Sequence, residues 1–522
     1  MIGPSVPFAA VRHTSPPGTP ALSRLEVAGL IAVVAAFVLL RFTTRSALWL
    51  DEALSVNIAS LPLRDIPEAL RHDGHPPLYY ALLHGWMEVF GTGDVAVRAL
   101  SGVLSVATLP LAWIAGRRRG GRVGAAAVLL VVAVTPFALR YATETRMYAL
   151  VMLGVFAAML LTDDLLEAFS WPRAVALSLV TAALLYSHYW TLWLGVSVGS
   201  ILLVRAVRTT GAERRRTVRT VAALVGGVVL FVPWIPILLE QSSGTGTPWA
   251  RPASPPRVFE QLVLDVGSGP FPEALLFSFV LAALLALAMF ALPVPGSIAE
   301  LRVDLRTVSG VRLEAVVAGL TLAVGVGTGY LAGATFAGRY SAAFLPFVFV
   351  VAGIGLIRLP SLIVRDVVAC VLVVAALGGA YRNVTEERTQ GEQLADAIDA
   401  EAASDDLVVF CPDQLGPSVD RSLDVPEQRV VFPTFDGPER IDWVDYAERN
   451  ESADVAAFAR GVLDRAGEGD VWLVWSADYL TLQQACPGLV SALGSQRAGF
   501  EVVPNGGSAF FEHAALWRFP AA

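Results

Sequence analysis

Long apolar stretches separated by short, arginine-bearing gaps dominate the first three quarters of the chain. EVAGLIAVVAAFVLL, LSVATLPLAWIAG, VGAAAVLLVVAVTPFAL, VAALVGGVVLFVPWIPILL and VLAALLALAMFALPV are examples. Each approaches the length a helix needs to cross roughly 30 Å of hydrocarbon. None alternates with a polar face, so the pattern predicts membrane spans rather than surface helices. The spans fall at 25–42, 97–115, 123–139, 147–161, 173–187, 191–207, 218–238, 274–292, 313–333, 342–358 and 366–381, about eleven in all. PPLYYALLHGWMEVF is apolar but short and opens on Pro76-Pro77, so it reads as a helix lying along the membrane interface.

Arginine placement orients these spans by the positive-inside rule. GRRRGGR (Gly116 to Arg122) marks one cytoplasmic gap, and Arg205, Arg208, Arg214, Arg215, Arg216 and Arg219 mark a second. Arg302, Arg306 and Arg312 mark a third, Arg358 and Arg365 a fourth, and the acidic gap at Asp163 is the weak member. The expected topology is an inner (cytoplasmic) membrane protein with its N-terminus inside and its C-terminal region outside. LWLDEALS, HDGHPPLYY, RYATETRMY, YSHYW and AGRYSAAF then share the outer side.

After Tyr381 the pattern changes. DLVVF, RVVF, VWLVW, GFEVV and AALWRF read as strands, with GEQLADAIDAEAA, DWVDYAERN and ADVAAFARGVLD as helices between them. The expected fold class is a polytopic α-helical membrane protein with a C-terminal soluble α/β domain. Residues 1–24 form a disordered cytoplasmic N-terminus. Residues 25–381 form the transmembrane domain with an outer loop at 43–96, and 382–522 the extracytoplasmic domain. No cleavable signal is evident, so the first span stays as an anchor. The α/β region holds no phosphate-binding glycine loop or nucleophile motif.

Composition agrees with the pattern: 55% of residues are hydrophobic and only 16% charged, below the charge of a soluble chain. The net charge of −8 comes mostly from the region after Ala380, and nothing supports nucleic-acid binding. Every basic residue is Arg. Cys370 falls in the last span as a small core residue. Cys411 and Cys486 fall in the outer domain, where oxidation is permitted, and are expected to form a disulfide.

Asp51 and Glu52 directly follow the first span, where adjacent carboxylates cost desolvation and usually have a task or a partner. Asp51 suits a general base taking a proton from an attacking hydroxyl, with Glu52 beside it. The plainer alternative is a solvated pair at a helix end. Paired carboxylates also attract a divalent cation, but no further oxygen ligands stand nearby in sequence, so no cofactor is expected. In HDGHPPLYY, Asp73, His75 and Tyr79 flank a rigid Pro-Pro turn; His75 could orient a carboxylate or bind phosphate, or be an ordinary loop histidine. RYATETRMY supplies Arg140, Tyr141, Glu144, Arg146 and Tyr148. Guanidinium forks pair with phosphate in two places at once, and Glu144 could hold one of them. Snorkelling is the alternative for the arginines, though outer arginines run against the positive-inside tendency. Arg339 and Tyr340 in AGRYSAAF repeat that logic. His188 and Tyr189 in YSHYW belong to an interface belt or to a sugar-stacking wall.

In this order, the motifs resemble those of the GT-C superfamily of membrane glycosyltransferases, most closely its family 39-type, mannosyltransferase-like branch. The resemblance rests on WLDEALS, the HPPLYYALLHGWMEVFG block ending at Arg98, ATETRMYAL, YSHYW and the later FAGRY segment. It implies a polyprenyl-phosphate sugar donor such as polyprenyl-phosphate-mannose, inverting transfer on the outward side, and Asp51 at the catalytic-base position. Arg140, Arg146 and Arg339 are inferred from residue type to contact the donor phosphate. His75 stands where relatives that modify lipid A carry a basic residue before the proline. Arabinosyl transfer is also compatible, and the acceptor could be a glycan, a lipid or a protein. A lipid-linked sugar transporter or flippase would want the same arginines and aromatics, but it should carry polar residues deep in its spans, and these span centres are apolar.

Overall fold

The computed structural model describes residues 22–245, 254–294, 296–305, 310–424, 428–482 and 484–521. Residues 1–21 of the expected disordered N-terminus, and Arg306 of the third arginine gap, lie outside the described residues. The chain divides into two compact units. The first comprises 1–43, 98–235 and 252–383; the second comprises 44–97, 236–251 and 384–522.

The helices run in order α1 Arg24–Leu40, α2 Leu50–Ala59, α3 Ile66–Asp73, α4 Leu78–Phe90, α5 Asp94–Val134, α6 Pro136–Arg140, α7 Tyr148–Glu167 and α8 Trp171–Leu185. They continue with α9 Trp190–Arg208, α10 Gly211–Phe231, α11 Ile235–Gly244, α12 Pro255–Gly267, α13 Pro272–Phe290, α14 Arg312–Leu331, α15 Leu345–Leu356 and α16 Leu362–Thr385. Among the described residues, 7 helical stretches are long and apolar enough to cross a membrane: α5, α7, α9, α10 with α11, α13, α14 and α16. This is a multi-pass membrane protein. Val103, Val207, Phe279 and Val374 stand exposed on these helices, the reverse of a water-facing surface.

Helix starts follow local chemistry. α1 opens with a capping box, in which Ser23 accepts from the Glu26 N–H and the Glu26 side chain accepts from the Ser23 N–H. Proline near the start of α6, α8, α12, α13 and α15 costs no hydrogen bond, because those N–H groups have no partner in the helix anyway.

The structure corrects several expected boundaries. GRRRGGR does hold the expected break: α5 is two helices joined at Gly120 and Gly121, and the φ of 62° at Gly121 is one that glycine adopts readily, but helix extends further into the arginine-rich stretch than expected. A side chain on Gly116 would meet the Gly124 carbonyl at 2.5 Å, so the two halves of α5 pack closely there. The acidic gap is likewise helical, because α7 continues through Asp163 and Asp164 to Glu167. Arg214, Arg215, Arg216 and Arg219 lie on α10 rather than before it. The stretch expected as span 342–358 begins with a 3-10 turn, Gly338–Ala343, before α15. α16 carries helix past residue 382 to Thr385.

The second unit contains α2, α3 and α4 together with a mixed five-stranded sheet and its helices. A short hairpin, β1 Ala291–Pro293 and β2 Leu301–Val303, belongs to the first unit. The sheet strands are β3 Leu407–Cys411, β4 Gln428–Val431, β5 Val471–Trp475, β6 Phe500–Val503 and β7 Ala515–Phe519, in the order β4-β3-β5-β7-β6. β3 is parallel to β4 and β5, and β7 is antiparallel to β5 and β6. β3, paired on both sides, is buried along its whole length, as its unbroken apolar run requires. α17 Gly391–Asp399 and α18 Gly416–Asp420 pack on one face. Two further helices, α20 Val455–Ala466 and α21 Ala485–Gly494, cover the other face, with α19 Tyr446–Glu451 preceding them. Trp49 and Leu50 at the start of α2 are part of that second core.

Candidate active site

In the helical unit the RYATETRMY segment forms the turn between α6 and α7, and most of it is buried. Thr143 tightens the turn by donating to the Arg140 carbonyl at 3.0 Å, and Asn383 on α16 donates to Thr143 at 3.0 Å. Ser101 on α5 donates to the Arg146 carbonyl at 3.2 Å. Arg140, at the last position of α6, pairs with Glu144 at 3.1 Å. Arg146 is 2% exposed, so it is held inside the fold rather than snorkelling to an interface.

Two further charges join this turn. Asp265 lies near the end of α12, and Arg339 lies in the 3-10 turn before α15. Burial pushes the Asp265 carboxyl up to about 6, Arg339 and Arg140 pull it down, and Glu144 pushes it up further. Asp265 is close enough to Gly338 that a Cβ there would stand 1.6 Å from its Oδ2, so glycine at 338 is what admits the carboxylate. Burial also raises the Tyr141 hydroxyl well above its usual range, with Asp265 and Glu144 adding to the rise.

Aromatic rings enclose the cluster. Tyr141 lies 4.7 Å from Tyr148, Tyr148 lies 5.6 Å from His188, and His188 lies 5.2 Å from Tyr340. Tyr340 stacks on Trp190 at 5.7 Å. His188 Nδ1 accepts from the Trp190 N–H, which sets the ring's orientation. Tyr189 turns away and accepts from the Trp234 indole N–H at 2.9 Å. Arg98 is buried in the first turns of α5. The arrangement offers guanidinium groups, carboxylates and ring faces in one place, which suits an anionic group joined to a polyhydroxylated one.

In the second unit Asp51 and Glu52 occupy the first turn of α2. Asp51 is half-buried; Glu52 is fully buried and faces Arg388 at 3.5 Å. Asp73 ends α3 and accepts from the Tyr80 hydroxyl at 2.7 Å, with His75 Nδ1 at 2.9 Å from the same oxygen. Gly74 makes the reversal possible with φ 83°. Tyr79 is fully buried beside Tyr80 at 6.4 Å between ring centroids. His75 thus lies in hydrogen-bonding contact with a carboxylate. Cys411 and Cys486 form a disulfide that ties α21 to the end of β3.

Asp265, Arg388 and Glu512 were not found by sequence reasoning. Asp265 is a single charge in the apolar stretch VLDVG, and that isolation was the one available signal. Among the described residues, no group of three or more His, Cys, Asp or Glu side chains is placed to hold a metal ion.

No protein-family profile matches the sequence, and no curated protein sequence matches it. Solved structures do. The apo form of ArnT from Cupriavidus metallidurans superposes with a TM-score of 0.61 at 13% identity, covering 94% of this chain and 97% of that one. The same protein bound to undecaprenyl phosphate gives 0.58 at 14% identity, covering 95% and 98%. The chain has the GT-C glycosyltransferase fold. The arabinofuranosyltransferase AftD from Mycobacteria is similar at a TM-score of 0.50 and 15% identity, over 96% of this chain but 42% of that larger one. The α6–α7 turn and the helix carrying Asp51 are thus set in a fold known from membrane glycosyltransferases.

Proposed function

We propose that this chain is an inverting glycosyltransferase that moves a sugar from a polyprenyl-phosphate carrier to an acceptor hydroxyl at the outer face of the cytoplasmic membrane. The observation that carries the reading is the cluster of Arg140, Glu144, Asp265 and Arg339, enclosed by Tyr141, Tyr148, His188 and Tyr340. The fold adds support, since ArnT carries it with undecaprenyl phosphate bound.

Arg140, Arg339 and Arg146 neutralise the donor phosphate, and the rings stack on the sugar. Asp51 takes the proton of the acceptor hydroxyl as its oxygen attacks the anomeric carbon. The bond from that carbon to the phosphate oxygen breaks with its electron pair, and polyprenyl phosphate leaves as an anion. A phosphate leaves readily, so no strong general acid is needed; the arginines supply charge stabilisation and the fold supplies positioning. Glu52, paired with Arg388, is placed to tune Asp51 rather than to take the proton itself. Mannose is the first candidate sugar. Arabinose is the second, favoured by the likeness to AftD.

The proposed topology keeps about eleven spans, with the N-terminus inside and the α/β region outside. Arg118 and Arg119 pair with Asp164 and Asp163, which supports placing both gaps on one side of the membrane. Purified protein incubated with a panel of polyprenyl-phosphate sugars should consume one of them and release polyprenyl phosphate. Asp51→Asn should insert normally and lose transfer by roughly a hundredfold to ten-thousandfold. Consumption of no donor, or full turnover by Asp51→Asn, removes the reading.

A further inference from the structure

The helix that carries the proposed base has no cap of its own. Its N-cap residue is Trp49, which makes no side-chain hydrogen bond to the first turn. A Ser, Thr, Asp or Asn at that position would satisfy one of the unpaired N–H groups locally. Instead, Leu50 donates its N–H at 2.6 Å to a carboxylate oxygen of Glu512, 462 positions along the chain. The other oxygen of Glu512 accepts from Thr389 at 3.1 Å and from the Ser418 hydroxyl.

Glu512 is itself held rigidly. Its N–H donates to the Arg388 carbonyl at 2.8 Å, and its carbonyl accepts from the Gln390 N–H at 2.9 Å. Phe511 stands edge-on to Trp49 at 5.1 Å between ring centroids. Arg388, in the same strap, faces Glu52 at 3.5 Å and donates its N–H to Ser46 at 2.8 Å. Residues on both sides of Asp51 are therefore gripped from one direction, by segment 388–390 and by 511–512. All of these contacts lie within the second unit.

Burial makes a carboxylate a costly way to cap a helix. Glu512 is 4% exposed, and burial pushes its carboxyl up to about 7 even though Ser418, Leu50 and Thr389 donate to it; Asp51 adds to the rise. The charged and titratable groups around it are Asp51 from α2, Tyr479 from the segment after β5, and Arg388 with Glu52 beyond. A short polar residue at position 49 would stabilise α2 more cheaply. What it would not do is fix the direction in which the first turn leaves the α/β core.

We propose that Glu512 is the positioning residue of the Asp51 base: by clamping the Leu50 N–H, it sets the direction in which α2 presents the Asp51 carboxylate. The inference rests on the reading of Asp51 given above. Glu512→Ala removes the clamp, whereas Glu512→Gln keeps an acceptor for the Leu50 N–H, and the Ser418 and Thr389 hydroxyls can turn to accept from its amide.

The test uses the full-length protein, the polyprenyl-phosphate sugar that it consumes, and hydrogen exchange over residues 49–53. Glu512→Ala should lower kcat roughly tenfold to a hundredfold, the scale of a misplaced catalytic group. The donor KM should stay within about twofold, and the Leu50 amide should exchange faster. Glu512→Gln should recover most of the turnover and protect the amide. Normal kcat per folded Glu512→Ala molecule overturns the proposal, as does a Glu512→Gln variant that protects the amide yet is equally slow. If Glu512→Ala does not fold, Thr389→Val with Ser418→Ala loosens the same carboxylate. That pair should lower kcat several-fold at constant KM, and an unchanged kcat overturns the proposal. Asp51→Asn run in parallel separates the two ideas. Retained transfer there sinks the base, while an inactive Asp51→Asn beside a fully active Glu512→Ala sinks only the clamp.

Discussion

Two of the helical unit's arginine–carboxylate clusters lie at opposite ends of α7. At one end Arg119 lies between Asp163 at 3.1 Å and Glu314 at 2.5 Å, and Arg118 pairs with Asp164 at 2.9 Å. At the other, Arg140 pairs with Glu144, with Asp265 and Arg339 alongside. The first cluster joins α5, α7 and α14 and directs its charges at one another. The second is walled by tyrosines and a histidine. The same residue types act as a lock in one place and as a receptive site in the other. What separates them is whether the surroundings close the charges off or leave ring faces around them.

Arg119→Gln should be the most damaging change to the fold. It leaves two buried carboxylates without their shared partner, a loss of about 3–5 kcal/mol. Thermal unfolding in detergent would show it, and molecules that fold should keep normal turnover. A well-folded variant would erase the contrast between the clusters. Arg339→Gln should do the reverse, lowering transfer by roughly a hundredfold to a thousandfold, as loss of a charge-stabilising donor does. Its melting temperature should stay close to that of the wild type. Gly338→Ala sharpens the same point with a smaller probe. Its methyl group must displace the Asp265 carboxylate, so donor KM should rise several-fold with kcat less affected, and an unchanged KM would separate Asp265 from the donor.

The second unit extends the contrast to groups packed around a mixed sheet. Removing the disulfide with Cys411→Ser opens a loop of 75 residues and should cost about 2–4 kcal/mol, seen as a lower melting temperature and altered mobility on non-reducing gels. The smallest effect is pH-dependent. Burial raises Glu512 and Asp413 to about 7, above their ordinary carboxylate values, so the folded state holds these protons more tightly than the unfolded chain does. Their contribution is fully present below the ordinary carboxylate range and is lost as pH rises through about 7. Glu512→Gln removes one of the two groups and should flatten the decline in melting temperature between about pH 5 and 8. An equally steep decline would mean that Glu512 is already ionised in the folded protein.

Much of the architecture is legible residue by residue. Apolar runs of span length become helices because a backbone in hydrocarbon must satisfy its own hydrogen bonds, and β-branched runs such as VWLVW become strands because they suit a buried sheet. The errors were local ones of continuity. An arginine-rich or acidic stretch reads as a gap, but Asp163 and Asp164 neutralise Arg119 and Arg118, so helix runs on to Glu167 in the acidic stretch and up to the break at Gly120 and Gly121 in the other. The residue types around Arg140 and Asp51 were visible as chemistry, while their partners Asp265 and Arg388 were not, since neither carries a motif of its own.

By itself, then, the order of residues determined the membrane class, the helix-rich body, the α/β strands and the kinds of charge available. Each of these follows from interactions between near neighbours. Tertiary structure alone decided that Arg119 answers to Glu314, that glycine at 338 makes room for Asp265, and that Glu512 caps a helix from the far end of the chain. Those pairings join residues tens to hundreds of positions apart, and only burial, which makes an unpartnered charge costly, selects among the many partners that the sequence allows.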